Sequence, residues 1–178
     1  HCQTMHISKI IKRFLIPGPV KTLYFLFKHK AKVSPNSEID LSPYLEIGES
    51  CVISSYTKVK ASDGPLKIGQ RSSVEFGCFI ASGSAGITIE ENCLIGLNVS
   101  IIGNSYRYDQ KGVHLEDQGK TSKGIRIGKN VWIGAGTVIL DGAEIGDNTI
   151  IVANSLINRR YKGNEILQGA PAKSIMKR

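Results

Sequence analysis

The sequence predicts an all-β protein built as a stack of triangular coils, and three observations lead there. First, an Ile or Val recurs every six residues from position 47 onward: Ile47, Ile53, Val59; Ile68, Val74, Ile80; Ile89, Ile95, Ile101; Ile127, Ile133, Ile139; Ile145, Ile151, Ile157. Second, the residue four places later is small or compact, as in Cys51, Thr57, Ser72, Cys78, Cys93, Val99, Val131, Thr137, Ala143, Thr149 and Ser155. Third, the six-residue step breaks only after every third member, by three residues after Val59 and after Ile80 and by twenty after Ile101. A branched residue plus a small residue per hexad describes one short strand and one turn. Three hexads close one coil, so the pattern reads as a parallel β-helix of about five coils, ~24 Å tall at one strand spacing per layer. All three insertions leave at the same corner.

The elements follow in chain order. Residues 1–34 form a basic arm: Lys9, Lys12, Arg13, Lys21, Lys28, Lys30 and Lys32, with no acidic residue. Ile7, Ile10, Ile11, Phe14 and Leu15 have helical spacing, and Pro17-Gly18-Pro19 ends that segment. A second, aromatic-rich segment runs from Lys21 to Lys32. Two short basic amphipathic helices suit either a cap on the first coil or the surface of an anionic membrane, and the two are compatible. Residues 35–162 form the β-helix, with a long loop at 103–124, and residues 163–178 a C-terminal tail. His1–Thr4 are expected to be an expression remnant ahead of a native start at Met5. Long ordered loops in compact repeats usually carry function.

Composition excludes several classes. The net charge of +8 comes from 23 Lys+Arg against 15 Asp+Glu, and all but one unit of it sits in the arm. The body is near neutral and has no basic stripe, so nucleic acid is not an expected partner. The best apolar run, Leu23 to Phe27, is far shorter than the ~18 residues of a spanning helix. Four cysteines without a CxxC pair fit neither a disulfide scaffold nor a zinc ribbon, and Cys51, Cys78 and Cys93 all fall at the small inward position. No metal is expected. Outward positions carry Tyr56, Phe76, Phe79 and Leu94, which an oligomer would partly cover.

Three stretches resemble the hexapeptide-repeat acyltransferases, the left-handed parallel β-helix family of galactoside, maltose and polysaccharide O-acetyltransferases. They are Thr121-Ser122-Lys123-Gly124-Ile125-Arg126-Ile127-Gly128 with Asn130-Val131-Trp132-Ile133-Gly134-Ala135; Gly142-Ala143-Glu144-Ile145-Gly146-Asp147-Asn148; and Gly169-Ala170-Pro171-Ala172-Lys173-Ser174-Ile175. The resemblance covers residues ~35–178. It implies a left-handed coil, an exception to the right-handed crossover rule. It also implies a homotrimer with acetyl-CoA in the groove between two prisms, closed by the long loop of one subunit.

Acyl transfer needs a base for the acceptor's proton and a donor for the oxyanion. In the family a loop histidine is the base. Here Asn104 and Tyr106 occupy the slots of the family's two loop histidines, and His114 is the one histidine inside the repeat region. Three readings stand at this point. His114 is the base, steered by Asp109, Glu116 or Asp117; or the chain binds ligand and turns over poorly, as a scaffold would; or catalysis rests on positioning, with the proton lost to water or a loop carboxylate. Asn104 can hydrogen-bond an oxyanion or a sugar hydroxyl in each of them.

By resemblance, Ala135 and Ala153 line the pantetheine arm of acetyl-CoA, and Asn158, Arg159 and Lys173 fall at its nucleotide end, where cations suit phosphate. Glu75, Ser82 and Tyr106 are the acceptor candidates. A carbonic anhydrase on the same fold would need a three-histidine zinc site, which His114 alone does not supply. The reading is an acetyltransferase acting on a sugar hydroxyl, in the cytoplasm or at the inner face of the membrane, in cell-surface polysaccharide biosynthesis. An N-acyltransferase acting on an amino-sugar nucleotide is the neighbouring alternative.

Overall fold

The computed structural model describes residues 16–178; the helical spacing read at Ile7–Leu15 lies outside the described residues. Three parallel sheets form the walls of a triangular prism. The first face stacks Lys32–Val33, Val52–Ile53, Ser73–Val74, Leu94–Ile95, Trp132–Ile133, Ile150–Ile151 and Glu165–Gly169. The second stacks Glu38–Ile39, Lys58–Lys60, Phe79–Ala81, Ser100–Ile102, Val138–Leu140 and Leu156–Ile157. The third stacks Leu45–Ile47, Leu66–Ile68, Ile87–Ile89, Ile125–Ile127, Glu144–Ile145 and Arg160–Tyr161. All fifteen Ile/Val positions of the repeat are buried and fill the axis. The prism runs past the repeat at both ends, with Val33 and Ile39 before it and Tyr161 and Leu167 after it, all buried.

The corners explain the residues that follow each branched one. Three places after it, the backbone turns left-handed at two of the three corners: at Ser50, Arg71, Asn92, Asn130, Asn148 and Asn164 on one, and at Tyr56, Gly77, Asn98, Gly136 and Asn154 on the other. Asn tolerates that conformation better than most residues because its short amide bonds locally. Here the amides also bond between layers, Asn130 Nδ2 to Asn148 Oδ1 (2.8 Å) and Asn148 Nδ2 to Asn164 Oδ1 (3.1 Å). The glycine directly after the branched residue answers a different demand. A Cβ on Gly134 would stand 2.4 Å from Ala153 N, and one on Gly146 would stand 2.2 Å from the Lys162 carbonyl oxygen. Successive coils approach so closely there that only hydrogen fits.

The inward small residues bind the layers together. The thiols of Cys51, Cys78 and Cys93 each donate to a carbonyl of the next coil, those of Gly69, Gly96 and Gly128, at 3.1 Å. Burial pushes the Cys93 thiol up to about 11 and raises the other two, so all three stay neutral. They are packing residues.

The faces differ in chemistry. Outward positions of the third face are Glu46, Lys67, Thr88, Arg126, Glu144 and Arg160. Lys67 pairs with Glu46 (3.5 Å) and Arg160 with Glu144 (3.3 Å). The first face instead presents Val52, Leu94 and Trp132, the last 54% exposed, and the second presents Phe79, Val138, Ile102 and Leu140 at half-buried positions. The third wall is charged along its height, whereas the first two carry apolar patches in their later coils, with Lys58 paired to Glu38 (2.7 Å) in the early coils of the second.

Both ends are covered. Among the described residues a single helix, α1 (Gly18–His29), starts after Pro17 and ends where Lys30 turns left-handed at φ 49°. Its Phe25 is 3% exposed and joins the core of the first coil, and Thr22 Oγ1 donates to the Val33 carbonyl (2.8 Å). At the other end the chain reverses after Gly169, and Ala172–Lys177 runs antiparallel to Glu165–Gly169. The Tyr161 hydroxyl donates to the Ala172 carbonyl (2.9 Å), which closes the last coil.

Candidate active site

The corner between the second and third faces carries all three insertions, stacked on one another. The first two, around Gly64 and Gly83, approach so closely that a Cβ on Gly64 would stand 2.1 Å from the Gly83 carbonyl oxygen. Ser122 Oγ donates to the Gly103 carbonyl (2.7 Å) and accepts from Ala85 N–H (3.1 Å), tying the foot of the long loop to the insertion beneath. Within the loop, Ser105–Tyr106 pairs antiparallel with Lys120–Thr121. Gln118, 8% exposed, then organises the tip. Its amide donates to the Gln110 and Val113 carbonyls (3.1 and 3.0 Å), and its oxygen accepts from Gln110 N–H (3.0 Å).

Beside the foot of this loop lies a cleft of about 520 Å³ whose walls include Asn104, Tyr106, Asp109, Lys123, Asp141 and Asn158. Asn104, Tyr106 and Asn158 are sequence-predicted site residues, and the structure brings them together. Lys120 Nζ sits 4.9 Å from the centre of the Tyr106 ring, a cation–π contact that fixes the ring at the rim. The Arg107 guanidinium beside Asp109 (3.2 Å) holds that carboxyl below the usual carboxylate range.

Asp141 was not singled out from the sequence. Its carboxylate accepts from the Lys123 N–H (2.8 and 2.9 Å) and the Gly124 N–H (2.9 Å), clamping the point where the loop rejoins the prism. Asp141→Ala removes the acceptor from both amides. Hydrogen exchange at Lys123 and Gly124 is expected to speed up at least tenfold while the core amides stay protected, read by exchange mass spectrometry. Unchanged exchange at the loop foot would remove Asp141 from this role.

The other predicted residues stand elsewhere. His114 is exposed on the far part of the loop and does not line the cleft; its carbonyl accepts from Asp117 N–H (3.0 Å). Ser82 is 2% exposed, with its hydroxyl donating to the Gly64 carbonyl (2.7 Å) inside the stacked insertions. Glu75, Ala135 and Ala153 are exposed on the corner between the first and second faces, across the second face from the cleft. There Phe76 packs edge-on against Tyr56 (5.2 Å between ring centres). Ala135 and Ala153 present single methyl groups to solvent one coil apart, and Asn154 N–H donates to the Ala135 carbonyl (2.8 Å). This narrow ledge suits a chain-like ligand laid against backbone. Arg159 lies over the Tyr161 ring (5.4 Å) and donates to the Ala172 carbonyl (3.1 Å), which sets it beside Lys173 at the C-terminal end of the prism. The described residues hold no cluster of His, Cys, Asp and Glu able to take a metal ion.

Residues 124–159 match a family described as the bacterial transferase hexapeptide (six repeats), and residues 86–118 match the hexapeptide repeat of succinyl-transferase. The galactoside O-acetyltransferase of Escherichia coli is 29% identical over 160 residues, spanning 87% of this chain and 75% of that protein. Among solved structures, the S84A mutant of AntD, an N-acyltransferase of Bacillus cereus, crystallised with dTDP-4-amino-4,6-dideoxyglucose and coenzyme A, superposes with a TM-score of 0.75 at 18% identity, covering 89% of both chains. A hexapeptide-repeat acetyltransferase of Vibrio cholerae complexed with acetyl coenzyme A gives 0.54 at 19% identity, covering 97% of this chain and 84% of that one.

Proposed function

The chain belongs to the hexapeptide-repeat acyltransferases, and from that premise we propose that it transfers an acetyl group from acetyl-CoA to a sugar hydroxyl. The observation that carries the reading furthest is the division of the site between two corners of one prism. The cleft with Asn104, Tyr106 and Asn158 is on one corner, the ledge of Ala135 and Ala153 on another, and the exposed His114 does not line its own chain's cleft. A groove between neighbouring prisms reunites such halves, so the working unit is a homotrimer. The apolar patches on the first and second faces supply what the neighbours would cover.

In this arrangement the ledge supports the pantetheine arm, while Arg159 and Lys173 face its phosphates. Acetyl-CoA, when bound, supplies an activated thioester. His114 of one copy accepts the proton of the sugar hydroxyl as its oxygen bonds to the acetyl carbon, and returns it to the departing thiolate. The side-chain amide of Asn104 donates to the carbonyl oxygen as charge builds there. Tyr106 and Glu75 orient the acceptor. Ser82, buried and internally bonded, acts on the acceptor only by holding the insertion in place.

The setting is cell-surface polysaccharide biosynthesis in the cytoplasm, with peripheral contact at the inner face of the membrane through the basic arm. Amino-sugar acceptors form a second reading, favoured by the likeness to the Bacillus cereus N-acyltransferase. Incubation with acetyl-CoA and a panel of glycans and amino sugars, followed by free-thiol release, tests both. The expected result is acceptor-dependent release by a species of three times the 19.4 kDa chain mass in light scattering. No release on any acceptor, with coenzyme A still bound, would overturn acetyl transfer for that panel.

A further inference from the structure

Helix α1 uses only one side to cap the prism. Thr22 and Phe25 face the first coil, bonded and buried. On the outer side Val20, Leu23, Tyr24 and Phe27 follow the i, i+3, i+4, i+7 spacing of a single stripe, 53%, 51%, 42% and 81% exposed. Such a row of large apolar side chains on a short surface helix is costly to leave in water. Cations surround it. Lys28 Nζ donates to the Tyr24 hydroxyl (2.8 Å) and lies 5.1 Å from its ring centre; Lys21, within the helix, donates to the Ser37 carbonyl (3.3 Å), and beyond its end Lys30 pairs with Glu49 (3.3 Å) and Lys32 follows. The chain has no carboxylate before Glu38.

Charge decides what can cover the stripe. A second copy docked through the same helix would set lysines against lysines. Residues 1–15 add Lys9, Lys12 and Arg13 and no acid to the charge of the arm. An anionic lipid surface complements both features, offering phosphates to the lysines and an acyl boundary to Leu23 and Phe27. We propose that α1 is an interfacial membrane anchor lying in the headgroup layer of an anionic bilayer, with the Val20–Leu23–Tyr24–Phe27 stripe facing the lipid. The prism then stands on its first coil. Arg159 and Lys173, at the opposite end, stand away from the bilayer. The inference deepens the membrane contact of the proposed function and rests on that part of it, but not on the chemistry at the cleft.

Co-sedimentation of the full chain with vesicles tests it. Vesicles of phosphatidylcholine with about 30% phosphatidylglycerol are expected to pellet the protein at low salt, and phosphatidylcholine alone is not. Salt at ~0.5 M should release it by screening. The double variant Leu23→Gln, Phe27→Gln should lower the bound fraction at least tenfold with the melting temperature and thiol release unchanged. Lys28→Gln with Lys32→Gln should weaken binding to anionic vesicles as well. Absence of binding to anionic vesicles would overturn the proposal. So would undiminished binding by the Leu23/Phe27 variant, which would place the contact elsewhere, or a fall in its oligomeric mass, which would put a second copy over the stripe. Vesicle binding and acetyl transfer are read separately, so failure of one is distinguishable from failure of the other.

Discussion

Replacing His114 by alanine is expected to lower kcat for acetyl transfer by ~100-fold or more, the range lost with a general base, while KM for acetyl-CoA stays within about twofold. The reasoning starts from the competing proton acceptors. Asp109 stands in the cleft, but Arg107 holds its carboxyl below the usual range, which makes it a weak base at neutral pH. Asp141 has its carboxylate committed to two backbone amides. Asn104, where the resemblance places the base, cannot take a proton at all. His114 is left as the imidazole that the loop holds out, on a tip made firm by Gln118. In the proposed homotrimer, the exposed His114 would meet its partner groups on a neighbouring copy. A trimer doped with His114→Ala chains should therefore lose activity in proportion to the sites that lack a histidine. Retained turnover in the fully substituted trimer would transfer the role to a loop carboxylate or to water.

Replacing Ile133 by alanine is expected to destabilise the protein by roughly 3–4 kcal/mol and to lower the melting temperature by about 10 °C. Ile133 is fully buried, with Ile95 in register on one side and Ile151 on the other. Neither neighbour can move into the gap, because each is fixed by its own strand pairing and by the glycine contact at the adjoining corner. The cavity should therefore persist, which puts the loss in the upper part of the usual range for such truncations. Ile133→Val, which removes one methylene, should lose only about 1 kcal/mol. A denaturant series on the two variants checks the pair, and equal losses would show that the core at this layer can collapse.

Much of this architecture could be read from the residues, because the repeat obeys one rule at every layer. The fifteen Ile and Val positions specify the axis, the small residues specify the layer contacts, and the phase jumps locate the insertions. The flanking layers escaped the pattern for local reasons. Val33 and Ile39 are followed by an eight-residue step to Ile47, and Tyr161 replaces the branched residue with an aromatic one whose hydroxyl needs a partner. Asn104, Tyr106 and Asn158 could be selected only by resemblance, since no spacing in one chain says that they meet. The roles of Asp141 and Gln118 depend on backbone amides brought near by the stacking, and a side chain that bonds to backbone leaves no mark in the residue types around it. Ser82 falls inside a three-residue insertion, where the six-residue phase is lost and the inward direction cannot be counted.

A pile of equivalent layers has no intrinsic length, and each new layer would add the same contacts as the last. An uncovered terminal layer is a template on which another chain could continue the pile, the route to open-ended fibres. Here growth is stopped at each end by a different device. Phe25 occupies the axis where a preceding layer would insert its branched residue, and the antiparallel return of Ala172–Lys177 meets an incoming strand with reversed polarity. The two non-repeating ends thus act as chain terminators, and they decide that this filament-like arrangement remains a single molecule of fixed height.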